Sequence, residues 1–306
     1  MDILTEIEDR LSVFKNFYDA IRVIDPIKKK VINVNSKEDN MNLLNHSCYK
    51  FWEKGESCSN CISLRAMFEN DTFVKIEERG GKIFIVTASP VNIGNATHIV
   101  ELIKDVTDKG IDTHSDKKFM HNIGNLIFKL NQSAIKDSLT GAFNRRYIME
   151  QLAIIANNNS FKNFPVCIVM IDIDYFKSIN DNYGHIVGDH ILKKFGNLVK
   201  ESIGERAYWV GRYGGDEFIL VLKNSEERDA LTICSKIKKE LENSEFIYKD
   251  IKIKVTASFG ICSIEEDYSM SLDDMINCAD KALYMAKKSG RNRICTDNYK
   301  ENNDRE

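Results

Sequence analysis

The chain has 306 residues, of which 43% are hydrophobic and 29% are charged, and its formal net charge is −3. This composition is typical of a globular protein with one large domain or two ordinary ones. It excludes the broad basic field that drives nucleic-acid binding, and no apolar run approaches the roughly 20 residues that a membrane helix needs.

The first stretch of the chain, MDILTEIEDRLSVF, is acidic and amphipathic, unlike a signal peptide. We therefore expect a cytoplasmic protein, in which the eight cysteines are free thiols or metal ligands rather than disulfides. Five cysteines fall in apolar core patterns or near the tail and are expected to be ordinary thiols: Cys167, Cys234, Cys262, Cys278 and Cys295.

Residues 1–107 predict a small antiparallel sheet with helices between its strands. The stretch YDAIRVIDPIKKKVINVN has the pattern of two strands joined by a turn at Asp25-Pro26. TFVKIEERGGKIFIVTASPV has the pattern of a hairpin with Gly80-Gly81 at its turn, and HIVELIKDVTD that of a further strand.

Residues 108–136 predict a connecting helix. Its apolar seam is spaced four, three, four and three residues apart, at Phe119, Ile123, Leu126, Leu130 and Ser133. The helix is either an amphipathic helix packed on its own domain or a dimerising connector. Its position between two domains favours the connector.

Residues 137–299 alternate strands and helices and predict an α/β or α+β domain with a central sheet, followed by a polar tail at 300–306. FPVCIVMIDID has the pattern of a buried strand, AYWVGRYGGDEFILVLK of two strands joined at Gly214-Gly215, and IKIKVTASFGICSI of one more strand. The helices are predicted within GDHILKKFGNLVKESI, EERDALTICSKIKKELEN and SLDDMINCADKALYMAKKSG.

Acidic residues close two of these strands. Asp172 and Asp174 end the apolar strand, and Asp216 and Glu217 follow the double glycine. If the two segments adjoin, these carboxylates gather at one edge, where they repel unless a cation lies between them. Oxygen ligands of this kind suit Mg²⁺ and indicate phosphoryl or nucleotidyl transfer. The alternative is a helix N-cap or a solvated loop.

A polar stretch between the two acidic pairs is predicted to be a loop before a helix, punctuated by Gly184 and Gly188. Within it, Asn180 and Asp189 could bind a base edge, and a carboxylate suits the two adjacent donors of guanine. Ordinary loop polarity with an N-cap is the equal alternative.

These residues together resemble a GGDEF-type diguanylate cyclase domain. Five motifs match in order: DSLTGAFNRR (137–146), DIDYFKSINDNYGHIVGD (172–189), RYGGDEF (212–218), ASFGI (257–261) and ADKALYMAKKSGRN (279–292). The resemblance implies a nucleotidyl-cyclase-like fold with a central, mostly antiparallel sheet flanked by helices. It also implies that two GTP molecules condense to cyclic di-GMP with release of two pyrophosphates, between two protomers that meet face to face.

The resemblance also implies roles for individual residues. Asp172, the carbonyl of Ile173, Asp216 and Glu217 would hold Mg²⁺ or Mn²⁺, and Asp216 would also be the general base for the 3′-hydroxyl. The substrate-binding set would be Phe176, Lys177, Asn180, Asp189, Gly214, Gly215, Lys287 and Arg291. Within it, Lys177 would also offset transition-state charge, Asn180 and Asp189 would hold guanine, and Lys287 and Arg291 would reach the β- and γ-phosphates. A cationic helix end is the compatible alternative for these last two residues.

One departure from the family pattern concerns product inhibition. Many members carry an inhibitory Arg-x-x-Asp site just before the hairpin strand. In ERAY the corresponding positions hold Glu205 and Tyr208, and Arg206 is one place out of register. We therefore predict that this site is absent or severely weakened.

Residues 1–107 resemble a PAS-type sensor domain. This segment contains His46, Cys48, Cys58 and Cys61. The C-x2-C pair with the third cysteine and the histidine could bind zinc, the three cysteines could hold an iron–sulfur cluster, or the pair could act as a redox thiol switch. Three partly buried structural thiols are the alternative.

The leading hypothesis is a homodimeric diguanylate cyclase regulated by this sensor domain. The first alternative is a catalytically inactive receptor for GTP or a cyclic dinucleotide that acts through a protein partner. The second is a cyclase that makes a mixed dinucleotide, against which Asp189 argues because it suits guanine.

Overall fold

The computed structural model describes residues 17–36, 44–93, 96–107, 117–157, 164–203, 208–265 and 270–298. The chain forms two compact units, Met1–Ala134 and Ile135–Glu306. Glu205 and Arg206 of the predicted departure, the side chain of Phe119 and the tail at 300–306 lie outside the described residues. No helix of the described residues is long and apolar enough to cross a membrane.

The N-terminal unit contains one antiparallel sheet. Its strands are β1 (Ala20–Asp25), β2 (Lys30–Ser36), β3 (Phe73–Arg79), β4 (Lys82–Ile93) and β5 (Ala96–Asp105), in the order β2-β1-β5-β4-β3. The two hairpins predicted from the sequence are confirmed. Gly80 and Gly81 make the β3–β4 turn with φ values of 57° and 80°, which glycine adopts without steric cost.

The described part of this unit also contains three helices. A short 3₁₀-helix spans Cys48–Trp52, α1 spans Ile62–Glu69 and α2 spans Lys117–Ile135. Phe51, Trp52 and Phe84 form an edge-to-face aromatic cluster in the core. On α2, Ile127 is buried, whereas Leu126 and Leu130 of the predicted seam are 57% and 55% exposed.

The C-terminal unit contains a second sheet with the order β12-β11-β6-β8-β7. Its strands are β6 (Val166–Ile173), β7 (Tyr208–Gly214), β8 (Glu217–Lys223), β11 (Ala257–Ile264) and β12 (Ile294–Asn298). Only the β11–β12 pair is parallel within this described sheet, so the predicted mostly antiparallel architecture is confirmed.

Helices flank both faces of this sheet: α3 (Arg145–Asn157), α4 (Phe176–Tyr183), α5 (His185–Ile203), α6 (Glu227–Asn243) and α7 (Leu272–Lys288). Successive side chains of each strand point to opposite faces of the sheet. Val169 and Phe218 pack with α5 and α6 on one side, and Ile168 and Ile219 pack with α3 and α7 on the other. All eight residues of β6 are buried, which explains its nearly continuous apolar sequence.

Two sequence predictions about these elements are wrong. Residues 176–188 are mainly helical rather than a loop. The helix α4 ends at Tyr183, Gly184 (φ 85°) is its C-cap, and α5 begins directly after it. The strand expected over 251–264 is two strands, since β10 (Ile251–Ile253) pairs with β9 (Phe246–Tyr248) in a separate hairpin. Between β10 and β11 the chain leaves the ladder, and Thr256 accepts a backbone hydrogen bond from Asp174.

The expectation that Cys262 and Cys278 are ordinary thiols is also wrong. Cys262 on β11 and Cys278 on α7 form a disulfide, with their Cα atoms 5.5 Å apart. The close approach of α7 to β11 explains this pairing. At Gly260 an added Cβ would lie 2.1 Å from the Leu283 nitrogen and 2.3 Å from the Ala279 carbonyl oxygen.

Candidate active site

The acidic residues of the predicted site meet at the ends of β6 and β8. Asp172 is directly opposite Glu217 in the β6–β8 ladder, and the Ile173 amide donates to the Asp216 carbonyl at 3.4 Å. The tight turn at Gly214-Gly215 produces this arrangement. Gly215 has φ 48°, a left-handed conformation that favours glycine.

Arg212 fixes the turn from the strand side. Its Nε and one terminal nitrogen donate to the Gly215 carbonyl at 2.9 and 2.7 Å, and its other terminal nitrogen donates to Asp137 at 3.3 Å. Asp137, the first residue of the motif DSLTGAFNRR, is thereby connected to the Gly214-Gly215 turn. Arg212 is the first residue of RYGGDEF but was not among the predicted site residues.

The environment of the acidic edge disfavours negative charge on Asp172 and Glu217. Burial raises the pKa of Asp172 to about 6, and Asp216 and Glu217 add to this rise against the lowering effect of Lys287. Burial and the neighbouring Asp216 likewise raise the pKa of Glu217. Lys287 Nζ lies 2.7 Å from Asp172 Oδ2, so one cationic group of the protein already neutralises this edge.

The chemistry of these donors fits a divalent metal ion. Asp172 and Glu217 face each other, the Ile173 carbonyl follows, and the Lys287 ammonium marks a position where positive charge is favourable. Hard oxygen donors of this kind suit Mg²⁺ or Mn²⁺. Among the described residues, however, no three His, Cys, Asp or Glu side chains are gathered tightly enough to hold a metal by themselves.

Asp174 does not join the acidic edge, contrary to the expectation that all four acids gather there. It is 4% exposed and accepts hydrogen bonds from Thr256 Oγ1, Ser258 Oγ and the Asn292 amide. These bonds satisfy its charge and fasten the end of β6 to the turn after α7. Asp174 is therefore a structural anchor.

The predicted guanine-binding residues lie on the two helices that follow β6. Asn180 on α4 has a buried Oδ1 with no hydrogen-bond partner in the structure. This oxygen lies against Gly188 of α5, where an added Cβ would be only 1.9 Å away. Asp189 is the next residue of α5 and is exposed. An orphaned acceptor and an exposed carboxylate on adjoining helices suit a ligand with several donors.

The remaining predicted residues surround the same end of the sheet. Phe176 is buried at the start of α4, and Lys177 is exposed. Lys287 occupies the last turn of α7, but Arg291 lies beyond the helix end, with φ 60° and its guanidinium 4.6 Å from the centre of the Tyr175 ring. Lys287 and Arg291 therefore do not lie on the same helix, because α7 ends at Lys288.

The predicted sensor residues are distributed around α1. Cys48 begins the 3₁₀-helix, Cys61 is the N-cap of α1, Cys58 lies in the loop between these helices, and His46 is exposed. These four residues do not form a set that could hold a metal ion in the described structure. The zinc and iron–sulfur hypotheses are therefore unsupported, and the redox hypothesis stays a prediction.

Comparisons with known sequences agree with this geometry. The family model described as "Diguanylate cyclase, GGDEF domain" matches residues 134–293. Diguanylate cyclase A of Treponema denticola is 36% identical over 192 residues, covering 60% of this chain and 51% of that protein. The response regulator PleD of Caulobacter vibrioides is 28% identical over 236 residues, covering 72% and 51%. The chain thus spans about half the length of the curated relatives it matches.

Solved structures give the same fold. Diguanylate cyclase SiaD of Pseudomonas aeruginosa, solved with its activator SiaC, is 27% identical with a TM-score of 0.51, covering 58% of this chain and 68% of that chain. The coiled coil and GGDEF domain of DgcB from Caulobacter crescentus, solved with c-di-GMP, is 23% identical with a TM-score of 0.53, covering 58% and 93%, a likeness of fold alone. Because the family model spans half of the 306 residues, the chain belongs to the diguanylate cyclase GGDEF-domain family.

Proposed function

We propose that the chain is a diguanylate cyclase, which condenses two GTP molecules to cyclic di-GMP and releases two pyrophosphates. The observation that carries this proposal is the acidic edge, where Asp172 faces Glu217 beside Asp216 and the Lys287 ammonium. The raised pKa values of Asp172 and Glu217 mean that their negative charges are unfavourable in the folded protein, so a bound cation would stabilise them.

The residues that would hold a metal ion and the residue assigned as general base lie at this edge. Asp172, Glu217, Asp216 and the Ile173 carbonyl would hold Mg²⁺ or Mn²⁺, which neutralises phosphate charge when bound. Asp216 accepts the proton of the ribose 3′-hydroxyl, whose oxygen attacks the α-phosphate of the second GTP. Because the attack is in line, positioning and neutralisation of charge supply most of the catalysis.

The basic residues around the edge neutralise the leaving pyrophosphate. Lys177 is exposed next to the buried Phe176, and Lys287 and Arg291 approach from α7 and the turn after it. Gly214 has open space where a Cβ would be, so a nucleotide can approach its backbone closely. These positions suit the triphosphate of a nucleotide bound across the β6–β8 edge.

Guanine selectivity is assigned to Asn180 and Asp189. The Asp189 carboxylate accepts from the two adjacent donors of guanine, N1–H and the exocyclic amine, which adenine lacks as a pair. The unpaired Asn180 Oδ1 gains a partner when a base donates to it. GTP is therefore preferred over ATP.

Condensation of two GTP molecules needs two such edges facing each other, so we assign the activity to a homodimer. The exposed Leu126 and Leu130 of α2 support dimerisation through the connector. The antiparallel sheet with helices between β2 and β3 supports a PAS-like sensor domain that regulates the cyclase. The absence of product inhibition and the cytoplasmic location stay predictions.

One observation favours the inactive receptor as a second candidate. Lys287 forms an ion pair with Asp172, so its ammonium group occupies the position beside this expected metal ligand where a metal ion would bind. In an active enzyme this ion pair must open when metal and nucleotide bind.

The test is product identification by mass after the full-length protein is incubated with Mg²⁺ and GTP, with and without ATP. The cyclase proposal predicts cyclic di-GMP under both conditions. A mixed dinucleotide would overturn the guanine assignment. A folded dimer that binds GTP but forms no dinucleotide would establish the receptor. Asp250→Asn, in the exposed β9–β10 turn, is the matched control and should leave the product unchanged.

A further inference from the structure

The N-terminal unit contains an open cleft of about 420 Å³. One wall is the loop before α1, including Lys54 and Cys58, and another is Glu77 of β3. The opposite wall is α2, through Gly124, Ile127 and Asn131. A chemical change in this cleft therefore takes place directly against the connector helix.

Three thiols cluster beside the cleft, but only Cys58 lines it. Burial raises the pKa of Cys48 to about 12, with further contributions from Glu101 and Cys61. Burial likewise raises the pKa of Cys61 to about 11, and the nearby Cys58 adds to this rise. Cys48 and Cys61 are therefore protonated at neutral pH, and a protonated thiol is a poor first nucleophile toward a peroxide.

One ammonium group contacts the sulfur of Cys58, and a second lies near enough to interact with it electrostatically. Lys54 Nζ is 3.9 Å from Cys58 Sγ and also contacts both oxygens of Glu77 at 3.0 Å. Burial alone would lower the pKa of Lys75, but the neighbouring Cys58 and Glu77 raise it above its usual value. Partial exposure beside fixed positive charge is the setting in which protein thiols react.

We propose that Cys58 is an oxidation site for hydroperoxides and that Cys61 completes the reaction by forming a disulfide with it. The Cys58 thiolate attacks one peroxide oxygen, an S–O bond forms, and the O–O bond breaks. With hydrogen peroxide, the leaving hydroxide takes up a proton to become water. The sulfur of the Cys61 thiol then attacks the adjacent Cys58 sulfenic acid. An S–S bond forms, the S–O bond breaks, and the thiol proton of Cys61 leaves with the hydroxyl group as a second water. Two thiols are oxidised and one peroxide is reduced to two waters.

The disulfide changes a loop that holds α2. Asn60 lies between the two cysteines, is 6% exposed and donates to Asn131 Oδ1 on α2 at 2.8 Å. Its side chain also accepts from Arg65 at 2.8 Å, and its carbonyl accepts from Lys75 at 3.3 Å. A bond between the sulfurs on either side of Asn60 reorganises this loop and weakens the Asn60–Asn131 contact. The effect on turnover rests on the proposed cyclase function, whereas the thiol chemistry does not.

The first experiment measures the chemistry alone. Reduced full-length protein is treated with hydrogen peroxide, quenched with an alkylating agent and mapped by peptide mass. We expect a Cys58–Cys61 disulfide, formed at least about tenfold faster than oxidation of Cys295, a free and partly buried cysteine of the other unit. Cys61→Ser should trap a sulfenic acid at Cys58, and serine is a good N-cap residue for α1.

Three outcomes would overturn the proposal. The first is that Cys58 is oxidised no faster than Cys295. The second is that Cys58 forms its disulfide with Cys48 instead of Cys61. The third is that Cys61 still forms a disulfide at the same rate in Cys58→Ser. Lys54→Gln, with folding checked by thermal unfolding, should slow the reaction, and an unchanged rate would refute the role of the ammonium groups.

The second experiment measures coupling to turnover. Oxidation should change cyclic di-GMP formation by about twofold or more in the wild type and in Cys295→Ser, and not in Cys58→Ser. Asn131→Ala should still form the disulfide but lose the effect on turnover. If the disulfide forms and turnover is unchanged while the enzyme is active, the proposed link to α2 is wrong. If no variant makes product, the proposed function fails while the mapped disulfide stands.

Discussion

Replacing Asp172 with Asn should stabilise the C-terminal unit while it removes an expected metal ligand. The carboxyl of Asp172 is about 10% exposed and lies opposite Glu217. Its pKa rises from the usual 3.8 to about 6, so the ionised carboxylate destabilises the folded state at neutral pH. The amide has nearly the same shape and no charge.

The size of the effect follows from this pKa. Each pKa unit corresponds to about 1.4 kcal/mol, so a rise from 3.8 to about 6 corresponds to about 3 kcal/mol at most. Because Asp172→Asn also leaves Lys287 without its partner, we expect about 1–2 kcal/mol of net stabilisation. For a unit of this size, that is a rise in Tm of about 3–6 °C.

The pH dependence has a defined sign. A carboxyl whose folded pKa is raised binds its proton more tightly in the folded state. Its contribution to stability is fully present below about pH 3.8 and is lost as the pH rises through about 6. The variant should therefore match the wild type near pH 4, and its advantage should grow to a plateau above pH 7.

The assay is thermal unfolding of the full-length proteins without metal, from pH 4 to pH 8. Trp52 and Trp209, the two tryptophans of the chain, lie one in each unit, so fluorescence in a Trp52→Phe background follows the C-terminal unit. Asp250→Asn is the control for a change of net charge. A variant less stable than the wild type at pH 7.5, or an advantage independent of pH, would refute the reasoning.

Four further predictions concern three glycines and Arg212. Gly260→Ala should destabilise the C-terminal unit by about 3 kcal/mol or more, because the added Cβ meets the backbone of α7. Gly214→Ala has open space around the added Cβ, so it should unfold like the wild type but lose about tenfold or more in turnover. Unfolding curves and product formation are measured for both variants. Gly188→Ala should displace the side chain of Asn180 and raise the KM for GTP about tenfold with a smaller change in kcat, and an unchanged KM would contradict the guanine assignment. Arg212→Ala should lower the free energy of unfolding by about 1–2 kcal/mol and reduce kcat, as measured by denaturation and initial rates, because the Gly215 carbonyl loses both donors.

The strands were predictable because their patterns are local. β6 is buried along its whole length, so its sequence is an almost unbroken apolar run, and the β3–β4 hairpin carries two glycines at its turn. The error over residues 176–188 arose because the exposed side of a short helix is as polar as a loop. The break between β10 and β11 was not predictable in the same way. There Thr256 accepts a backbone hydrogen bond from Asp174, and the two residues are far apart in the chain.

The candidate site was likewise predictable where it follows from neighbouring strands, and not where it depends on contacts between distant residues. Asp172 and Glu217 meet because the hairpin strand adjoins β6, as the sequence suggested. Asp174 has the same residue type and nearly the same position, but its hydrogen bond to Asn292 crosses 118 residues of sequence. The Cys262–Cys278 bond likewise depends on how closely α7 approaches β11. Such pairings follow from packing and leave no periodic signal.

The central claim is that the carboxylate at position 216 carries out chemistry on GTP. The most direct test compares cyclic di-GMP formation by the wild type, Asp216→Ala and Asp216→Glu, all shown to be folded and to bind GTP. We expect Asp216→Ala to lose at least about a thousandfold in kcat, as for removal of a general base and metal ligand, and Asp216→Glu to retain activity within about tenfold. Near-normal turnover by Asp216→Ala would contradict the account.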